Sequence, residues 1–460
     1  MLVEHRLGAD GTVLRDALGR RVMLRGVNAS GRSKMPPFAP FEFDGAAPYE
    51  KGYTAALDDY LDRVQALGVD VLRVPFVWEA VEPVKGQDDA AFLTRYDALL
   101  DAAWARRMWT VVDFHQDVYG RTFCGSGMPA WTLPATQPDG SPWPEPHTDC
   151  ATWYLGYDTN PQVQAAFARF WNDEDGVQTA YRAMWQRMVE RYAQRPGVIG
   201  FEVFNEPGHP GGDSKVWHEQ VLSPFYASMV ALIHALAPNT LVFLDTTGLS
   251  AVEGTTDLLP PPLGGVVLAP HAYDPAVYVG GAANPQALGE VLGKWKALGE
   301  SWGVPVWVGE IGYRNDRADA GAAAEQALAA ADAHGIGLAW WEFSLASTLW
   351  NHERLSLVDE KGDEHAGLMD AVARPYPRAI AGGAPTFSWT PSQRRFELVY
   401  LAESGGVSEV VLPQRAFPDG VEIELQGGCA DPDAVPGALL IRADAPAEVR
   451  LVVRNVIPPG

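Results

Sequence analysis

Two glutamates in this 460-residue chain stand in contexts suited to paired acid and nucleophile chemistry: Asn205-Glu206-Pro207 and Gly309-Glu310, each at the end of an apolar run. Cleaving a glycosidic bond needs two such carboxyl groups, one holding a proton for the leaving oxygen and one ionised to attack the anomeric carbon. Their surroundings must push the two pKa values apart. Arg73 offers a fixed positive charge that would keep Glu310 ionised, and Tyr273 offers it a hydrogen bond. Glu206 has no basic neighbour in sequence, and Pro207 removes one backbone donor, so its proton is easier to retain. His115 and His271 also close apolar runs, in Asp113-Phe114-His115-Gln116-Asp117 and Pro270-His271-Ala272-Tyr273. A zinc site built on these two histidines is not supported, because no HExxH and no third ligand accompanies them.

These residues need a scaffold that aims them at one point. Short β-rich runs fall at 23–27, 69–74, 109–114, 198–204, 240–245, 265–270, 304–309 and 337–343. Between them lie amphipathic stretches such as 55–67, 160–171, 176–195, 223–237, 286–300 and 318–334. Eight alternating units imply an α/β fold, a (β/α)8 TIM barrel with its site at the C-terminal strand ends. Arg73, His115, Asn205, Glu206, His271, Tyr273, Glu310 and Trp341 all occupy such ends. Glu202, four residues before Glu206, is expected to point into the barrel as a structural carboxylate. Glu342 is expected to turn away from the pocket, because side chains alternate along a strand. Residues 2–22, with Asp10-Gly11 between two strand-like runs, read as a hairpin closing the barrel bottom. The long insertions 115–159, 246–264 and 344–376 read as shaped surface loops.

After 374–385, rich in Pro and Gly, the pattern changes to short alternating strands at 395–401, 407–413, 421–425 and 448–454. That predicts a small C-terminal antiparallel β-sandwich at 385–460 behind a catalytic barrel at 1–380. With Trp389 as its one tryptophan, the sandwich reads as a prop for the barrel rather than a carbohydrate-binding module.

A net charge of −23 disfavours nucleic acid and anionic lipid, because there is no basic patch to release phosphate counterions. Neutral sugars suit such a surface, and 16 Trp and 15 Tyr supply flat faces for them. No apolar run is long enough for a transmembrane helix, so stable membrane insertion is not expected. No leader opens the sequence, which implies a cytoplasmic protein if the chain is complete and a secreted one if a leader was removed. Cys124 and Cys150 share one loop and can pair, but an odd count of three cysteines favours free thiols. No CxxC occurs, and the cysteines alone build no metal site. No cofactor is implied.

The motifs together resemble family-5 glycoside hydrolases, which implies a retaining β-glycosidase with Glu206 as acid/base and Glu310 as nucleophile. Leu24-Arg25-Gly26-Val27-Asn28, Lys34, the run from Asp113 to Tyr119 and the C-terminal Arg-Pro-Tyr-Pro are similar to the glycosylceramidase branch, the endoglycoceramidase-like enzymes. That resemblance implies sugar contacts from Lys34, Asp117 and Trp153, and a glycolipid substrate. Two departures stand out: Glu-Ile-Gly-Tyr after the seventh strand and Trp-Glu-Phe-Ser after the eighth. Phe123, Met128, Trp131, Leu133, Leu345, Leu349 and Trp350 offer apolar surface for a lipid slot. The alternatives are a hydrolase of aryl, alkyl or oligosaccharide glycosides, or a non-catalytic sugar-binding barrel, which the presence of both carboxylates disfavours.

Overall fold

The computed structural model describes residues 6–43, 49–345, 348–435 and 437–456. A hairpin of β1 (Leu7–Asp10) and β2 (Val13–Asp16) opens the chain, followed by the short β3 (Arg21–Val22). Eight parallel strands then alternate with helices: β4 (Arg25–Asn28), β5 (Val71–Phe76), β6 (Trp109–Phe114), β7 (Val198–Glu202), β8 (Leu241–Leu244), β9 (Val266–Leu268), β10 (Trp307–Ile311) and β11 (Gly337–Trp340). Each pairs with its neighbour in parallel, and β11 pairs back onto β4. The bridges Leu268↔Val306 and His271↔Glu310 join β9 to β10 and close the barrel. The barrel strands are buried along their whole length because helices cover the outside and side chains fill the interior.

Sequence punctuation explains the helix starts. Asp89 caps 90–105 by accepting from the Ala91 and Phe92 amides, and Asn160 and Asn284 cap helices that begin with Pro161 and Pro285. At the barrel floor, Leu7 and Leu14 of the hairpin pack with Val71, Val111, Ile199, Phe243 and Trp307. Hydrophobic burial there closes the end of the barrel opposite the site. Among the described residues, no helix is long and apolar enough to cross a membrane.

The sandwich consists of two antiparallel sheets. One is formed by β13 (Thr386–Thr390), β14 (Arg395–Ala402), β16 (Val421–Gln426) and β19 (Ala447–Asn455), in the order β13-β14-β19-β16. The other runs β1-β2-β3, then β12 (Tyr376–Ile380), β15 (Val407–Val411), β18 (Ala438–Arg442) and β17 (Cys429–Val435). Thus β12, which lies within the 1–380 span expected of the barrel, pairs with β15 and β3 and belongs to the sandwich sheet. The N-terminal hairpin extends the same sheet, a long-range pairing that no local pattern encodes. Arg378 ties the two parts together, with Nη1 donating to Glu409 at 3.1 Å and Nε 3.4 Å from Asp70, whose other oxygen accepts from the Arg25 amide. Trp389 lies in the sandwich core, edge-on to Phe417, and does not form an exposed sugar platform.

Candidate active site

The strand ends converge on a pocket lined by Lys34, His115, Asp117, Trp153, Asn205, Glu206, Tyr273, Glu310 and Trp341, with Arg73 and His271 packed behind it. Arg73, fully buried on β5, organises the floor. Its Nε and Nη2 donate to the two oxygens of Glu202 at 2.8 and 2.6 Å, and its Nη1 donates to Glu310 Oε1 at 2.8 Å. Asn28 and Asn205 accept from the remaining N–H groups at 3.0 and 2.8 Å, and Asp113 lies 3.1 Å away. A guanidinium presents its donors in a rigid planar fork, so one side chain holds three carboxylates and two amides in register. Glu202 therefore points inward, as the strand pattern implied, and serves to seat Arg73. Tyr273 Oη donates to the second Glu310 oxygen at 2.9 Å.

Glu206 sits in a different environment. It follows β7 with φ of 38°, a left-handed conformation uncommon for a non-glycine residue. Two contacts hold it there: Asp245 accepts from its amide at 2.8 Å, and Gln116 Nε2 donates to its carbonyl at 2.8 Å. Fixing a strained backbone from both sides aims the side chain without freedom to relax. Burial, reinforced by the charge of Asp117, pushes the Glu206 carboxyl up to about 7. Gly248 lies against it, and a Cβ at that position would come within 2.9 Å of Glu206 Oε2.

His271 joins the two glutamates. Its Nδ1 is 2.8 Å from Glu206 Oε1 and 3.4 Å from Glu310 Oε2, and its Nε2 is 3.3 Å from Asp245. Burial lowers its pKa to about 3, so the ring is neutral near pH 7. The ligand-type atoms of Glu206, His271 and Glu310 all lie within 4.8 Å of one another. Beside this pair, His115 stacks on Trp341 with centroids 5.2 Å apart and lies between Asp113 and Asp117. Despite the cost of burial, those carboxylates raise His115 to about 9. Lys34 is buried, 3.3 Å from both Asp117 and Glu353, with its ammonium 3.5 Å from the centroid of Trp350 and 4.5 Å from that of Trp341. Trp340 turns outward into the layer between strands and helices, beside Leu67, Leu328 and Val372, and Trp341 alone of the two lines the pocket. Glu342 faces away, towards Gly31 and Ser344, and burial raises it to about 8.

The family description "Cellulase (glycosyl hydrolase family 5)" matches residues 27–347, and "Glycoside hydrolase family 5 C-terminal domain" matches residues 374–453. The chain belongs to glycosyl hydrolase family 5. It is 26% identical to endoglycoceramidase I of Rhodococcus hoagii, over 95% of this chain and 85% of that protein. A second relative, an endoglycoceramidase of Cyanea nozakii, is 27% identical over 42% of this chain and 39% of its own. The fold is similar to that of endo-glycoceramidase II from Rhodococcus sp. in its ganglioside GM3 complex, with TM-score 0.76, 23% identity and coverage of 97% of this chain and 100% of the other. It is also similar to a crystal structure of endogalactoceramidase, with TM-score 0.76, 24% identity and coverage of 98% and 100%.

This family 5 hydrolase departs from the sequence reading in three respects. The expected free thiols are a disulfide, Cys124–Cys150, because the intervening loop folds back and brings the Cα atoms to 6.1 Å. The seven apolar loop residues do not form a slot. Met128, Leu133 and Trp350 are buried in protein contacts, Phe123, Trp131 and Leu345 pack onto the core, and only Leu349 is exposed. Apolar side chains in long loops were needed to anchor the loops themselves. Sequence reasoning also missed Glu353, which accepts from Trp341 Nε1 at 3.1 Å and from Lys34, and the neighbouring Asn351. Both lie in 344–376, where no periodicity marks a position. Asp245 was missed too, although it ends the fifth barrel strand much as Asp113 nearly ends the third.

Proposed function

We propose that this enzyme hydrolyses a β-glycosidic bond with retention of configuration, Glu310 attacking the anomeric carbon and Glu206 acting as acid and then base. The observation that carries the reading is the closeness of the two carboxylates, with oxygens within 4.8 Å of each other around His271. Retaining enzymes separate the pair by about 5–5.5 Å, and inverting ones need about 6.5–9.5 Å to seat a water. Arg73 and Tyr273 each donate to Glu310, which stabilises the anion required for attack. Buried Glu206, raised to about 7, keeps a proton for the leaving oxygen. After departure of the aglycone the same carboxylate takes a proton from water, which hydrolyses the glycosyl–Glu310 ester. Lys34, Asp117, His115 and Glu353 supply polar contacts for sugar hydroxyls, and Trp153 and Trp341 supply flat faces.

The substrates we assign are glycolipids. Support comes from the endoglycoceramidase name of the Rhodococcus hoagii relative, which spans 95% of this chain, and from Leu155 and Leu249, 48% and 60% exposed. The first lies beside pocket residues Trp153 and Tyr154, and the second follows Gly248 on the Glu206 side, where the leaving group departs. The missing slot favours the alternative of small aryl or alkyl glycosides. Comparing kcat/KM for a β-glycosylceramide in detergent with that for an octyl or aryl glycoside of the same sugar separates the two. A clear preference for the glycolipid is expected, because buried apolar area contributes about 25 cal/mol per Å². Cleavage of the aryl glycoside alone refutes the lipid assignment. First-formed sugar of inverted configuration by proton NMR refutes the mechanism.

A further inference from the structure

Outside the sugar pocket, Cys124, Cys150 and His147 bring three ligand atoms to one point. His147 Nε2 lies 2.9 Å from Cys124 Sγ and 3.4 Å from Cys150 Sγ. Its other nitrogen, Nδ1, is 3.2 Å from the Glu145 carbonyl, which can only accept, so Nδ1 carries the hydrogen. The Nε2 lone pair is thereby aimed at two sulfurs that, joined as a disulfide, have no hydrogen to give. Fixing the tautomer through the far nitrogen is how proteins present an imidazole to a metal. In a tetrahedral site with zinc–sulfur and zinc–nitrogen bonds of ordinary length, sulfur and nitrogen are about 3.5 Å apart; the Cys150 distance of 3.4 Å is already close to this, and the 2.9 Å to Cys124 must lengthen as the sulfurs separate on reduction.

We infer that, with its disulfide reduced, this loop binds one thiophilic divalent cation through Cys124, Cys150 and His147, leaving a coordination position open to water. Two equivalents of a small-molecule thiol reduce the disulfide, giving two protein thiols and the oxidised thiol. The cation then displaces both thiol protons and forms two metal–thiolate bonds and one bond to Nε2. Cys124 is buried, Cys150 half-buried and His147 exposed, so the open side faces solvent. The fold need not be dismantled for this exchange, because the two cysteine segments are held independently of the S–S bond. Asn351 Nδ2 donates to the Cys124 carbonyl at 2.6 Å, and Asn351 Oδ1 accepts from the Cys150 amide at 3.0 Å. The Asn351 amide donates to the Thr148 carbonyl at 2.9 Å, and His352 is 2.7 Å from Asp149. Asn351 and His352 line the sugar pocket, so the proposed site adjoins the active site.

The test uses the full chain carrying Cys429→Ser, which removes the exposed free thiol, and zinc chloride as the probe. After reduction with dithiothreitol and its removal, zinc is titrated against a chromophoric chelator, and thiol alkylation is followed by mass spectrometry. The expected result is one zinc per reduced chain, protection of both thiols from alkylation, and no tight binding by the oxidised protein. His147→Ala, a change at an exposed side chain, is expected to weaken zinc at least about tenfold while the thiol count stays at two. Three results overturn the proposal: a disulfide that resists reduction in the folded protein, a reduced protein that binds zinc no better than Cys124→Ser/Cys150→Ser, or His147→Ala binding equal to that of the parent.

Discussion

Raising the pH should switch off the acid before it harms anything else in the reaction. An ordinary glutamic acid, with a pKa of 4.5, would be only ~0.3% protonated at pH 7, whereas Glu206 at about 7 is about half protonated. Burial thus increases the fraction of competent enzyme by about 150-fold, equivalent to about 3 kcal/mol at about 1.36 kcal/mol per tenfold step. The sign is fixed by the chemistry: Glu206 must carry its proton to protonate the leaving oxygen, so activity is lost as pH rises through its folded value. For an alkyl glycoside, whose leaving group needs that proton, kcat/KM should fall about tenfold per pH unit above about 7. The profile is measured at constant ionic strength from about pH 4 to about pH 10, alongside Glu206→Gln, whose amide cannot titrate there. The variant should be slower by about 10²–10⁴-fold on the alkyl glycoside and should lack this limb. A second limb near 9 would belong to His115. A plateau that persists above pH 9 in the parent, or an alkaline limb near 7 that survives in Glu206→Gln, refutes the assignment of the acid to Glu206.

Glu310→Gln should lower turnover at least about 10³-fold with the fold retained, since Arg73 keeps Glu202 and Asp113 as partners; wild-type turnover with a native melting curve would exclude Glu310 as nucleophile. With Glu206→Ala, a 2,4-dinitrophenyl glycoside should react in the first step nearly as fast as with the parent, and azide should accelerate turnover; unchanged rates with azide would count against the double displacement. Glu353→Gln removes one charged partner of buried Lys34 and should raise KM about tenfold with kcat within a few-fold, read from steady-state kinetics. Trp389→Ala should cost about 3–5 kcal/mol of sandwich stability in urea unfolding, without reducing kcat/KM of the folded protein or its retention on insoluble polysaccharide.

Much of this enzyme was legible in one dimension because barrel chemistry is local to strand ends. A β-rich run buried on both faces shows as continuous apolar sequence, and the first polar residues after it must emerge at the barrel mouth. Glu206, His115, His271 and Asp245 obey that rule, whereas Glu310 lies inside β10 and Arg73 inside β5, where it forms the floor rather than the mouth. The rule states where a side chain emerges, not what it meets. That Arg73 faces Glu310 and Glu202 together, and that His271 rather than a cation adjoins Glu206, follows from strand stagger around the closed sheet. Loops carry no period, so Asn351 and Glu353, the pairing of Cys124 with Cys150 and the burial of Met128, Leu133 and Trp350 were set by tertiary packing. The same holds for the sandwich sheet: the N-terminal hairpin reads as strands, but 376–380 falls in the Pro- and Gly-rich stretch with no alternation to mark it, and only the folded chain brings β3 beside β12. Sequence periodicity fixes which face of an element is buried. Which partner covers that face depends on contacts between distant parts of the chain, and here those contacts decided the loops, the domain seam and the charge state of the acid.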